Sequence, residues 1–261
     1  MRRRRLAPFR KALRWYSYAA AALLVPLAAG IALYMYSNDR RPQEYAELVV
    51  PQGQRDSIRL ADNTLVWLNA GSRLIYPDKF SDKDRKVYLT GEAFFQVEKD
   101  SRRPFIVSAG EVSVRVLGTK FNFSTYEDSE SVYVSLVQGS VRLESERSGV
   151  HSSVMLVPGD IVRYHRLDGV FSRASGSAAA TANWMDGGFY FNDRPLDEII
   201  RSFERSFNVR ITLTDTSIGK ERYSLAFVNN ETVDQIMSAI AYNGRLSVSC
   251  KDGEYSLSRR K

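Results

Sequence analysis

A chain of 261 residues with 44% hydrophobic and 26% charged side chains is long enough for one or two packed domains, and this composition excludes global disorder. The formal net charge of +7 suggests an acidic partner only until it is located: Arg2, Arg3, Arg4, Arg5, Arg10, Lys11 and Arg14 carry all of it, leaving 30 basic and 30 acidic residues in the remainder. One cysteine, Cys250, excludes an intrachain disulfide and a cysteine-rich zinc site.

The basic tail, residues 1–14, runs into a transmembrane helix predicted over 15–37. No charge occurs from Trp15 to Tyr36, and those 22 residues rise about 33 Å as a helix, matching a hydrocarbon core of about 30 Å. Trp15, Tyr16 and Tyr18 at one end and Tyr34 and Tyr36 at the other form two interfacial aromatic belts. Pro26 and Gly30, costly inside a soluble helix, are tolerated in a membrane one. Seven positive charges precede the span, and Asp39, Arg40, Arg41, Glu44 and Glu47 follow it, which places the N-terminus in the cytoplasm and the bulk outside. A cleaved signal peptide fits less well, because the apolar run continues past the small residues Ala28-Ala29-Gly30 to Tyr34.

Residues 45–170 read as an all-β domain, a sandwich or a solenoid. Short alternating runs such as Thr64–Leu68, Lys86–Leu89, Val112–Val116, Val132–Leu136 and Val141–Leu143 put every second side chain on one face. Turn signals separate them at Asp62-Asn63, Asn69-Ala70-Gly71, Thr90-Gly91, Gln138-Gly139 and Pro158-Gly159-Asp160. The Ser/Ala/Gly/Thr-rich stretch 171–183 reads as a linker.

Residues 184–261 read as a small α+β domain of two β-α-β units. Phe189-Tyr190-Phe191 is a strand, Asn192–Pro195 a helix cap, and Leu196, Ile199, Ile200, Phe203 and Phe207 one helical face, followed by strand Val209–Leu213. The second unit repeats this with Leu225–Val228, a cap at Asn229-Asn230, a stripe of Val233, Ile236, Met237 and Ile240, and strand Leu246–Cys250. Asp252-Gly253 then opens a hairpin into Tyr255-Ser256-Leu257. A module this small leaves a sheet edge unpaired, and an edge accepts a partner's strand. The two segments that mix polar and apolar residues as half-exposed strands do are Tyr223–Phe227 and Glu254–Leu257. Tyr223, Ser224, Leu225, Tyr255 and Ser256 are therefore the candidate partner-binding residues.

Four stretches resemble the FecR-type (ferric-citrate regulator-like) family: Asp62–Ser72 with Tyr76-Pro77, Arg85–Val97, Arg103–Val107 and Val116–Asn122, in the family's order and spacing. The region after Trp184 is similar to the family's C-terminal domain, which resembles the secretin/TonB short N-terminal fold. The resemblance implies an inner-membrane anti-sigma factor that receives a signal from a TonB-dependent outer-membrane transducer and passes it to an extracytoplasmic-function sigma factor. It also implies relay by proteolysis. Fourteen residues before the span reach about 21 Å as a helix, too short to wrap a sigma factor, so the sequence supports reception of the signal better than sequestration.

The residues themselves show no enzyme and no cofactor or metal site. His151 and His165 flank turn-like segments without ligand spacing, Gly118-Thr119-Lys120 lacks the rest of a phosphate loop, and Glu92 has no partner acid or base at a recognisable spacing. Cys250 reads as a buried small hydrophobe. Trp67, Phe94, Phe95, Phe105, Phe121 and Phe123 read as core rather than as a glycan platform. The competing function is a membrane-tethered periplasmic scaffold or glycan-binding module without sigma regulation. Amphipathic helices encoded in frame upstream of Met1 would favour the relay over it.

Overall fold

The computed structural model describes residues 7–38 and 44–260. The chain divides at Gln43/Glu44 into two units. The first holds α1 (Ala7–Asn38), a 32-residue helix with Pro26 in its interior. Trp15, Tyr16, Tyr18 and the run from Ala20 to Leu33, Pro26 and Gly30 included, are exposed. Among the described residues no helix is long and apolar enough to cross a membrane. The side chains at 17, 19 and 34–36, among them Tyr34 and Tyr36, fall outside the described residues, and the span across 15–37 remains a proposal.

In the second unit, period-two alternation builds most of the sheet. Its strands are β1 (Tyr45–Val49), β2 (Asp56–Arg59), β3 (Leu65–Leu68), β4 (Arg73–Pro77), β5 (Arg85–Gln96), β6 (Phe105–Ala109) and β7 (Val112–Val116). They continue as β8 (Lys120–Thr125), β9 (Ser131–Gln138), β10 (Val141–Arg147), β11 (Val150–Leu156), β12 (Ile161–His165) and β13 (Val170–Ala174). The hydrogen-bonded path runs β11-β10-β7-β6-β5-β8-β9-β12-β13. Strand β5 joins two layers. Its first half, Arg85–Thr90, pairs with β4 and β6, and its second, Gly91–Gln96, pairs with β3 and β8. Every pairing in this sheet except β5–β6 is antiparallel. Val87, Val107, Val114 and Leu143 from one layer and Val66, Phe95, Phe121, Val134 and Val162 from the other share a single core. Of the two all-β architectures expected, this is the sandwich. A solenoid would stack its strands in parallel.

Thr90-Gly91, read from the sequence as a turn, lies inside β5. Gly91 has φ +101°, and a Cβ there would meet Ser72 Oγ at 2.5 Å, so only glycine fits where the strand changes layers. The stretch 171–183 is likewise more than a linker. It begins in β13, and a 3₁₀ turn at Ala180–Asp186 buries Ala182 and Trp184. Ala182 and Trp184 pack on Phe94, with Trp67, Val137 and Met185 around them, a set of apolar partners that composition alone does not display.

The C-terminal elements are β14 (Phe189–Pro195), α2 (Leu196–Phe207), β15 (Arg210–Leu213), β16 (Arg222–Phe227), α3 (Val233–Gly244), β17 (Leu246–Lys251) and β18 (Glu254–Arg259). Strands β14 and β16 form one antiparallel pair, and β15-β18-β17 form a separate three-stranded sheet. Leu196, Ile199, Ile200 and Phe203 of α2 and Ile236, Met237 and Ile240 of α3 share a core with Phe189, Phe227 and Leu257. Both helix caps differ from expectation. Asn192–Pro195 stays in β14, whose bulge places Asp193 at φ +49°, and α2 starts after Pro195 without a side-chain cap. Helix α3 is capped by Thr232 and Gln235 in a reciprocal capping box rather than by Asn229-Asn230, whose Asn229 is held by Glu231.

Candidate functional site

Glu92 stands just past the Gly91 hinge, where the C-terminal domain meets the β domain. Asn69 Nδ2 donates to its Oε2 and Asn122 Nδ2 to its Oε1, both at 2.8 Å. Neither amide is free to turn. Trp184 Nε1–H donates to Asn122 Oδ1 at 3.2 Å, and the Ala70 N–H donates to Asn69 Oδ1 at 2.9 Å. The backbone is fixed as well, since Ser72 Oγ accepts from the Glu92 N–H and donates to the Glu92 carbonyl. Burial pushes the Glu92 carboxyl above the ordinary range, against the two amide donors and the charges of Arg205 and Arg194.

Two arginines of the C-terminal domain close over this floor. Arg194 of β14 stacks on Tyr133 with its guanidinium 3.0 Å from the ring centroid and pairs with Glu198 at 3.1 Å. Arg205 of α2 stacks on Tyr126 at 3.7 Å and pairs with Asp128 at 2.8 Å. Arg201 also reaches Asp128, and Ser129 donates to Glu198. Burial raises the Tyr133 hydroxyl pKa, and burial together with the Glu92 charge raises that of Tyr126. Between floor and roof lies a polar cavity of about 80 Å³, lined by Glu92, Asn69, Asn122, Tyr133, Trp184 and Arg205 among others. A space of this size holds a few waters. Cation–π stacks contribute about 0.5–2 kcal/mol each, and partly exposed ion pairs about 0–1 kcal/mol, so no single contact dominates the docking.

The proposed partner-binding residues separate into two groups. Tyr223, Ser224 and Leu225 lie on β16, which pairs only with β14, and its outer edge carries no strand among the described residues. Tyr255 and Ser256 do not lie on an edge. They sit on β18, the central strand of its sheet, with β15 on one side and β17 on the other. Tyr255 is buried, and its hydroxyl donates to Asp234 at 2.7 Å, which pushes its pKa up to about 12. The mix of polar and apolar residues that reads as a half-exposed edge here belongs to a central strand, because β15 returns parallel to β18 and covers that side. Cys250 is exposed rather than buried: it lies on edge strand β17, where every residue after Leu246 is exposed. His165 contacts Asp168 at 3.0 Å, and His151 is exposed on β11. Among the described residues no group of three potential ligands could hold a metal ion.

The Glu92 cluster is absent from the sequence expectations. Its members, Asn69, Glu92, Asn122 and Trp184, are spread over more than a hundred positions, and the only local sign is a carboxylate inside the apolar run Gly91–Val97.

Residues 46–142 match the family described as FecR protein, and residues 188–256 match FecR, C-terminal. Two crystal structures of a candidate anti-sigma factor from Parabacteroides distasonis, at 2.50 and 1.65 Å, superpose with a TM-score of 0.78 each. They are 28% and 29% identical and cover 84% and 83% of this chain and all of their own. No curated protein matches. With both regions matched in order, the chain belongs to the FecR-type anti-sigma factor family.

Proposed function

We propose that the chain is a single-pass relay in the inner (cytoplasmic) membrane. In this reading α1 is the anchor, the tail before it faces the cytoplasm, and the β and C-terminal domains lie in the periplasm. The C-terminal domain receives the signalling domain of a TonB-dependent outer-membrane transducer, and the relay ends at an extracytoplasmic-function sigma factor. The observation that carries the reading is the order of parts: an uncharged 22-residue stretch with seven basic residues before it, then the two regions that define the family. The free edge of β16 supports reception by strand addition, in which backbone groups supply affinity and alternate side chains supply selectivity.

Reporter fusions at Met1 and at Lys261 test the topology. The expected result is cytoplasmic reporter activity from the first and periplasmic activity from the second. Periplasmic activity at Met1, or a full-length chain released from membranes by carbonate, rejects the placement.

A further inference from the structure

We propose that β11 is a dimer edge: two copies of this chain pair through it about a two-fold axis at Ser152, so that their β sandwiches join side to side. The pairing concerns the folded unit alone and rests neither on the membrane placement nor on the receiving role of β16.

The β domain is open on one side. There β11 ends one layer and β13 the other, and each pairs with a single neighbour among the described residues. Two arginines bridge the layers. Arg173 of β13 donates to the Met155 carbonyl at 3.3 Å and pairs with Asp160. Arg147 of β10 donates to the Arg166 and Leu167 carbonyls at 2.9 and 2.8 Å. Between these bridges the core reaches the surface, since Val154 and Phe171 pack on it and are only partly buried. Val150, Met155, Val157, Leu167 and Val170 stand exposed along the same side. Apolar side chains gathered in this way mark an interaction surface.

Edge strands ordinarily carry a charge or a proline that discourages pairing. Every other edge strand among the described residues does, with Glu47 on β1, Arg173 on β13 and Lys251 on β17 as examples. Strand β11, Val-His-Ser-Ser-Val-Met-Leu, has no acidic residue, lysine, arginine or proline. That composition suits its own copy. Across a two-fold axis one surface meets itself, and a row of charge would face like charge. Seven residues extend about 24 Å and the two layers are about 20 Å deep, so about 1,000 Å² in all is covered, the lower end of specific interfaces and the range of reversible dimers.

The hairpin sets the register. Its two-residue turn Ser148-Gly149, with φ +51° and +81°, closes Arg147 and Val150 on each other. Alternation then bonds Val150, Ser152 and Val154 to β10 and turns the backbone groups of His151, Ser153 and Met155 outward. Arg173 occupies the Met155 carbonyl, which leaves His151 and Ser153. A two-fold at Ser152 uses both, His151 facing the partner's Ser153, so even a charged imidazole meets a hydroxyl. It also sets Val150 against the partner's Val154 and Ser152 against its own copy at a Cα separation of about 4.5 Å.

The test uses the full chain with its one cysteine, exposed Cys250, replaced by serine. Ser152→Cys is added, a fresh cell lysate is oxidised with copper phenanthroline, and the chain is followed by immunoblot. A separation of about 4.5 Å lies within disulfide reach. The expected result is a band at twice the chain mass, at least tenfold stronger than from Val49→Cys, which is exposed on β1 at the opposite edge of the same layer. Adding Ser153→Pro removes an outward donor and spares the β10 ladder, and should lower the yield at least fivefold. A Ser152→Cys yield no greater than that of Val49→Cys, or one that Ser153→Pro leaves unchanged, overturns the proposal. So does a crosslinked species of another mass, which assigns the edge to a different protein. Should Ser152→Cys not fold, chains bearing Val150→Cys and Val154→Cys are coexpressed with different tags. Their mixed dimer should exceed either like dimer severalfold, and its absence overturns the pairing.

Discussion

Arg85 is fully buried in the β domain. Its Nη1 donates to Asp62 at 2.7 Å and to the Glu98 carbonyl, its Nε donates to the Arg103 carbonyl, and its guanidinium lies over Phe105. Asp62 in turn accepts from the Thr64 N–H and hydroxyl, which shapes the β2–β3 turn. Removing one partner of a buried pair strands the other charge, a cost of about 3–5 kcal/mol. Arg85→Ala should therefore lower the stability of the second unit by that amount in a urea titration, whereas Arg73→Ala, which breaks an exposed pair with Glu47, should cost under about 1 kcal/mol. Equal effects would show that the buried pair contributes no more than a surface one. From the sequence, Arg85 reads as a charge ahead of an alternating run. Its four partners come from three separate segments, which periodicity does not join.

At the scale of elements, the runs Val112–Val116 and Leu246–Cys250 show which patterns are readable. The first matches β7 residue for residue, and the second falls one residue short of β17, because alternation and turn residues are local signals. Strand β9 shows what is not readable. Its Ser131, Tyr133 and Ser135 sit at outward positions, yet all three are buried together with Val132, Val134 and Leu136. Arg194 and the cavity wall cover that outer face. Likewise Tyr223–Phe227 and Glu254–Leu257 mix polar and apolar residues alike, and local pattern does not tell the edge strand from the central one. Only β16 of the two candidate segments offers backbone groups to an incoming strand. Successive N–H groups along a strand point to opposite sides, so proline at Ser224 and at Leu225 samples both. The variant that removes an outward donor should weaken binding of a transducer signalling domain at least tenfold in a calorimetric titration while the fold is kept. Parent-like affinity in both would remove β16 from the binding surface.

For the whole molecule, the relay reading requires that an event in the folded unit reach α1. Family resemblance implies proteolysis as the route, and α1 contains Pro26 and Gly30 within its uncharged stretch. Proline leaves a carbonyl of the helix without a donor and glycine lowers helix propensity, so a protease could unwind this segment more readily than a leucine-rich one. Pro26→Leu combined with Gly30→Leu should slow appearance of the cleaved fragment severalfold in a pulse-chase immunoblot. Equal fragment yields from the double variant and the parent would count against the route.

The crossing of β5 from one layer to the other limits how the chain can change in length. Loops such as Ser148-Gly149 at the β10–β11 hairpin can gain or lose residues and leave both strands in register. Strand β5 cannot, because Val87 and Leu89 point into the core before Gly91, and Phe95 points into it afterwards. Deleting one residue between them would turn one of these sets toward solvent and carry Glu92 off the cavity floor. Insertions and deletions among relatives should therefore collect in the hairpin loops and spare the segment from Arg85 to Gln96.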